Sequence, residues 1–210
     1  MGAVVPAPSI RITDRIAECD DGKRRPRHGA PTGITIHRIG LSLVHDMIGL
    51  AAAFRDTSPY AAGAYTGGEL PYSLLVLPSG DIEQGLALDD VGPHARKWSS
   101  PTIGVALLGD FRAHAPSREQ HRSTAILCAW LSLLLGFSAE HVRGHDELPG
   151  GSADPDKRCP GRLLSMRDLR DDIVAMRGDI IWHAVDAGVG VPPDWSEYAG
   201  AALRSMGIGA

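Results

Sequence analysis

Cysteine and aromatic residues are scarce in this chain of 210 residues, which has three of the former and 5% of the latter. An odd count of three thiols is no disulfide framework, which excludes the small cross-linked scaffolds that replace a core with covalent staples. Neither a CxxC pair nor an HExxH helix pattern occurs, so no zinc finger or helical zinc protease is encoded locally. No apolar stretch reaches the length needed to cross a bilayer, and no membrane insertion is expected. The opening "MGAVVPAPSIRITD" lacks a basic region followed by a continuous apolar one. It therefore reads as no signal peptide, and the protein is expected to be cytoplasmic as synthesised. Positive charge is short as well: the formal net charge is −4 and the one basic cluster is "KRRPRH" at 23–28. With no basic stripe, nucleic acid is not an expected partner. Internal repeats are lacking too.

What is present is an ordinary globular composition, 43% hydrophobic and 22% charged, in a chain of single-domain length. Residues 1–32 read as irregular. "GITIHRIG" alternates Ile34 and Ile36 with Thr35 and His37, a strand that places His37 near its end. Leu43, Met47, Leu50 and Phe54 recur at helical spacing, which predicts a helix from Ser42 to about Arg55. "YSLLVL" and "DIEQGLAL" flank "PSG", a hairpin pattern. "TIGVALLGDF", 102–111, is a continuous apolar run and reads as a buried central strand. A long helix is expected from Ser117, with Gln120 completing a capping box, to Gly136. "EHVRGH" reads as a short strand leading to His145, and Leu163, Met166, Leu169, Ile173 and Met176 mark a further helix face. The pattern predicts an α/β fold, a mixed central β-sheet flanked by helices. Its divisions would be an irregular segment at 1–32, a domain at 33–177 and a helical extension at 178–210.

The chemistry gathers in "GHDELPGGSADPDKRCPG", residues 144–161, where His145 and Cys159 bound a loop rich in Gly, Pro and Asp. An ordinary surface connection is one reading. The other is half of a metal site, with zinc the metal suited to imidazole and thiolate. His37 and His145 both fall at strand ends, and Cys159 sits on a loop long enough to turn back. Nine histidines supply many accidental pairs, so spacing alone leaves both readings open. Lys157 stands out because lysines are few beside the arginines. A loop lysine is usually solvated, but near zinc its compact ammonium would suit a developing oxyanion. Tyr72 after Pro71 reads first as packing, and His94 in "VGPHARKW" as a turn residue or one facing a cleft.

Several stretches, in order, resemble the zinc-dependent N-acetylmuramoyl-L-alanine amidases, the group that includes phage lytic amidases and peptidoglycan recognition proteins. They are "ITIHRIG", "PYSLLVLPSGDIEQG", "VGPHARKWSSPTIGVALLGDF" and "VRGHDE…DKRCPG", within about residues 33–175. The resemblance implies Zn2+ as cofactor, with His37, His145 and Cys159 as ligands. It implies catalytic roles for Tyr72 and Lys157, and a place for His94 in the substrate cleft. Some amidases use aspartate as the third ligand, and Asp154 and Asp156 lie close enough in sequence to compete with Cys159. "KWSSPT" lacks the asparagines common before the central strand. Ala106 stands where some relatives carry glutamate, which favours the tyrosine and lysine form of the chemistry.

The implied activity is endolysin-like hydrolysis of the amide between N-acetylmuramic acid and L-alanine in peptidoglycan, by a protein expected to be a monomer. Two other functions fit parts of the pattern: a receptor of the same fold that holds muropeptide without cutting it, and a protein whose zinc is structural. Fold alone does not choose among them.

Overall fold

Two segments of seven residues, β2 (Gly33–Ile39) and β5 (Thr102–Leu108), pair in parallel at the centre of the sheet. Each is buried on both faces along nearly its whole length, as a central strand covered on two sides is. They belong to a computed structural model that describes residues 10–22, 25–41, 43–56, 69–150 and 158–186. Around them lie β1 (Ile12–Asp14), β3 (Leu74–Val76), β4 (Ile82–Gln84) and β6 (Val142–Gly144). The sheet runs β1-β4-β3-β5-β2-β6, with only β3 and β4 antiparallel. The helices are α1 (Ile16–Cys19), α2 (Met47–Asp56), α3 (Arg118–Leu135) and α4 (Met166–Asp186). This is the mixed sheet flanked by helices that the hydrophobic pattern predicts.

Alternation along the strands separates two cores. Ile34, Ile36, Ile103, Val105 and Leu107 face α3 and α4, where Leu127, Leu131, Leu169 and Ile173 meet them. Ile39, Leu75 and Ala106 face the other way, against Met47, Leu50 and Phe54 of α2. Each large side chain so buried contributes ~1.5–3 kcal/mol. His37 sits one residue beyond Ile36 and therefore faces the α2 side, where it is 1% exposed.

Four details depart from the expected pattern. Residues 1–32 are not irregular throughout: β1 pairs in parallel with β4, Ile12 joins the core, and the buried Cys19 thiol approaches the Met47 carbonyl at 3.8 Å. Helix α2 starts at Met47 rather than Ser42. Leu43 is 89% exposed, and the Asp46 carboxylate accepts from the Gly49 amide at 2.7 Å, an N-cap the periodicity concealed. Ser117 does cap α3, accepting from the Gln120 amide at 2.9 Å. The Gln120 side chain does not complete a capping box; its Nε2 donates to the carbonyls of Val76 (2.9 Å) and Leu108 (3.1 Å), joining the ends of β3 and β5. Finally, the segment "IIWHAVD" continues α4, so the helix runs unbroken across 177–178.

Candidate metal centre

Register brings the two histidines together. Ile36 of β2 pairs with Gly144 of β6, so the next residues, His37 and His145, emerge side by side with ring centroids 4.7 Å apart. His37 lies in the carboxyl-terminal half of β2 and His145 directly follows β6, towards the strand ends where open α/β sheets place their ligands. Cys159 arrives from the far end of the loop. The Asp146 amide donates to the Cys159 carbonyl at 2.8 Å, and Arg38 reaches the Arg158 carbonyl and the Asp110 carboxylate (3.1 Å). Gly144 permits this closeness, since a Cβ there would lie 2.9 Å from Cδ of Pro160. One ligand atom from each of His37, His145 and Cys159 then falls within 4.8 Å of the others.

The distance between Cys159 and His37 suits zinc. Bonds of about 2.0–2.1 Å to nitrogen and 2.3 Å to sulfur at the tetrahedral angle set nitrogen and sulfur ~3.6 Å apart. Cys159 Sγ lies 3.6 Å from His37 Nδ1.

Behind His37 the hydrogen bonds form a chain. His37 Nε2 meets His94 Nδ1 at 3.0 Å, and His94 Nε2 meets the Thr102 carbonyl oxygen at 3.2 Å. The same carbonyl accepts from Arg27 at 3.2 Å. Arg27 also donates to the carbonyls of Leu88, Asp90, Ser99 and Ser100, and so holds the whole approach to β5. The His94 ring occupies space left by Gly104: a Cβ on that glycine would stand 2.8 Å from His94 Cγ and Cδ2. A glycine inside a central strand marks such a close approach.

Burial controls the charge states. It is the main cause holding His37 well below the ordinary histidine range, assisted by His94 and His145. Burial likewise lowers His94 to about 4, against the opposing bond to the Thr102 carbonyl, and lowers His145 with help from Arg96. The imidazoles are therefore neutral at pH 7 and keep a lone pair for a metal. Burial pushes the Cys159 thiol up to about 11 although Arg38 opposes it, so this sulfur carries its proton until a metal displaces it.

The remaining residues implied by the resemblance divide three ways. Tyr72 lies just before β3 rather than opening it, 5% exposed, its ring centroid 5.0 Å from that of His37 and 6.2 Å from that of Phe54. His94, expected at the substrate cleft, is 2% exposed and has a protein partner for each ring nitrogen. Lys157, Asp154 and Asp156 lie outside the described residues. Arg27 and Gly104 escaped the sequence reading. The one trace of them was a glycine interrupting an otherwise apolar strand and an arginine within a basic loop.

The family model described as N-acetylmuramoyl-L-alanine amidase matches residues 27–162, more than half of the chain. The chain belongs to this amidase family. A peptidoglycan-recognition protein of Drosophila simulans is 26% identical over 96 residues, 46% of this chain and 50% of that protein. Peptidoglycan-recognition protein 2 of Holotrichia diomphalia is 33% identical over 52 residues, 25% of this chain and 28% of that protein. The chain thus spans half or less of these relatives' length. Among solved structures, the amidase LysC of Clostridium intestinale superposes with a TM-score of 0.55 at 15% identity, over 79% of this chain and 99% of that one. The Ph2119 endolysin, from a bacteriophage of Thermus scotoductus, gives 0.59 at 18% identity, over 78% and 99%. Peptidoglycan recognition protein LE in complex with tracheal cytotoxin gives 0.59 at 16%, over 76% and 92%. At these identities the likeness is one of fold. The matched stretch holds His37, His145 and Cys159, so the candidate metal centre of this amidase family member lies wholly inside it.

Proposed function

We propose that this chain is a zinc hydrolase that cuts the amide joining the lactyl group of N-acetylmuramic acid to L-alanine of the stem peptide, an endolysin-like activity on peptidoglycan. The observation that carries the reading is the convergence of His37, His145 and Cys159 within 4.8 Å of one another, with Cys159 Sγ 3.6 Å from His37 Nδ1. Among the described residues this set has three members, the number that hydrolytic zinc sites use while keeping a fourth position open. Zinc, when bound, supplies Lewis acidity that lowers the pKa of water to about 7 and polarises a carbonyl.

The chain's own part is to hold two neutral imidazoles and to surrender the Cys159 proton. Tyr72, beside His37, and Lys157, two residues before Cys159 in sequence, donate to the oxygen that becomes negative as the carbonyl turns tetrahedral. Donors aimed at developing charge are each worth on the order of a hundredfold or more in rate.

The test joins metal content with bond identification. Wild-type protein is expected to carry about one zinc per chain, and His37→Ala, His145→Ala and Cys159→Ala each to lose most of it. Mass spectrometry of digested peptidoglycan should show free stem peptides and intact glycan. New reducing ends, or cuts between stem residues, would refute the amidase reading. Protein that binds muropeptide with zinc in place yet releases no peptide would be a receptor. Zinc retained in Cys159→Ala but lost in Asp154→Ala or Asp156→Ala would move the third ligand.

A further inference from the structure

We propose that His94 is a positioning residue, seated by Gly104, that locks His37 in the tautomer protonated at Nε2 and so leaves the His37 Nδ1 lone pair facing His145 and Cys159. One group at the end of the relay has a fixed role. The Thr102 carbonyl has no hydrogen and can only accept, so His94 Nε2, 3.2 Å away, must carry the proton that joins them. A neutral imidazole has one N–H, which makes His94 Nδ1 an acceptor. His37 Nε2, 3.0 Å from that Nδ1, must then be the donor. The remaining His37 nitrogen, Nδ1, carries no proton and accepts from the Cys159 thiol, 3.6 Å away, until a metal takes that proton's place.

The chain has one direction, and its far end is anchored twice. Arg27 donates to the same carbonyl at 3.2 Å, which keeps that oxygen turned towards the pair. Gly104 makes the seat, since any side chain there would press on Cγ and Cδ2 of His94 at 2.8 Å. A ligand histidine whose other nitrogen is held in this way has one orientation and one tautomer, and loss of such a partner typically costs about 10–100-fold in metal affinity.

The consequence for affinity rests on the zinc reading, but the tautomer does not, and the two can fail separately. Histidine-labelled metal-free wild-type protein at neutral pH is examined by long-range proton–nitrogen NMR. The expected spectrum shows His37 and His94 both protonated at Nε2; His37 protonated at Nδ1 overturns the proposal whatever the protein does with zinc. The variants are His94→Phe, which fills the seat without an acceptor, and His94→Asn, whose Oδ1 restores an acceptor at the position of Nδ1. By competition with a chelator, His94→Phe should bind zinc about 10–100-fold more weakly, and His94→Asn should recover most of the loss. Folded His94→Phe that binds zinc within twofold of wild type, with His37 still protonated at Nε2, also overturns it. If His94→Phe does not fold, the wild-type spectrum decides alone. If wild type binds no zinc, the metal reading falls while the spectrum still judges the relay.

Discussion

Adding one methyl group at Gly104 perturbs the relay from behind without touching any candidate ligand. The Cβ of Gly104→Ala would lie 2.8 Å from two His94 ring atoms and 3.2 Å from its Cβ. The ring is buried and tied at both nitrogens, so it has no flexible end to move aside. Overpacking of this kind costs ~1–3 kcal/mol. Alanine also narrows the unfolded ensemble, which returns ~0.4–1 kcal/mol. The expected net loss is ~1–2 kcal/mol. His94→Ala removes the ring and leaves the buried His37 Nε2–H without its acceptor, at ~1–3 kcal/mol for the lost partner with a cavity penalty in addition. In the double variant the new methyl group occupies the vacated space, so the two losses should fall short of their sum by ~1–2 kcal/mol, as neighbours that share a cavity do. Urea unfolding of all four proteins, with a chelator present so that metal binding adds nothing, measures the cycle. Additivity within ~0.5 kcal/mol, or a Gly104→Ala protein more stable than wild type, would refute the reasoning.

Acid should weaken the metal-free fold through the same residue. His94 has a folded pKa of about 4 against an ordinary 6.5, so from 6.5 downward the unfolded chain takes up a proton that the folded one refuses. Its share of stability is therefore complete above about 6.5 and lost as pH falls towards 4, ~3 kcal/mol at ~1.4 kcal/mol per pH unit. Stability measured at about pH 7.5 and about pH 4.5 should fall less in His94→Asn than in wild type; equal falls would show that His94 does not carry this dependence. Tyr72→Phe and Lys157→Ala are expected to keep zinc and muropeptide affinity while stem-peptide release drops about a hundredfold. Release at the wild-type rate would remove both residues from the mechanism.

Most of the architecture was legible because it is written in local periodicity. The continuous apolar run of Thr102–Leu108 reads as a strand covered on both faces, and Ser117 and Gly136 bound α3 by capping chemistry that needs no distant partner. The misread parts depended on distant partners. "RITD" is too short to read as a strand alone, and becomes one because β4 offers it an edge. Gln120 looked like half of a capping box because its position fits one, but two strand-end carbonyls compete for its amide and hold it.

The sequence by itself determined the candidate donors: a histidine near the end of one strand, another directly after a second strand and a cysteine closing a loop, in an order that resembles one amidase family. Their convergence was left to the fold, because the pairing of Ile36 with Gly144 joins positions 108 residues apart and no local pattern encodes a register. The place of His94 was decided there too. A turn histidine beside a glycine-interrupted strand carries no sign of facing inward. Only the packed structure sets its ring over Gly104, one nitrogen to a carbonyl and the other to His37, and thereby settles which His37 nitrogen has a lone pair to offer.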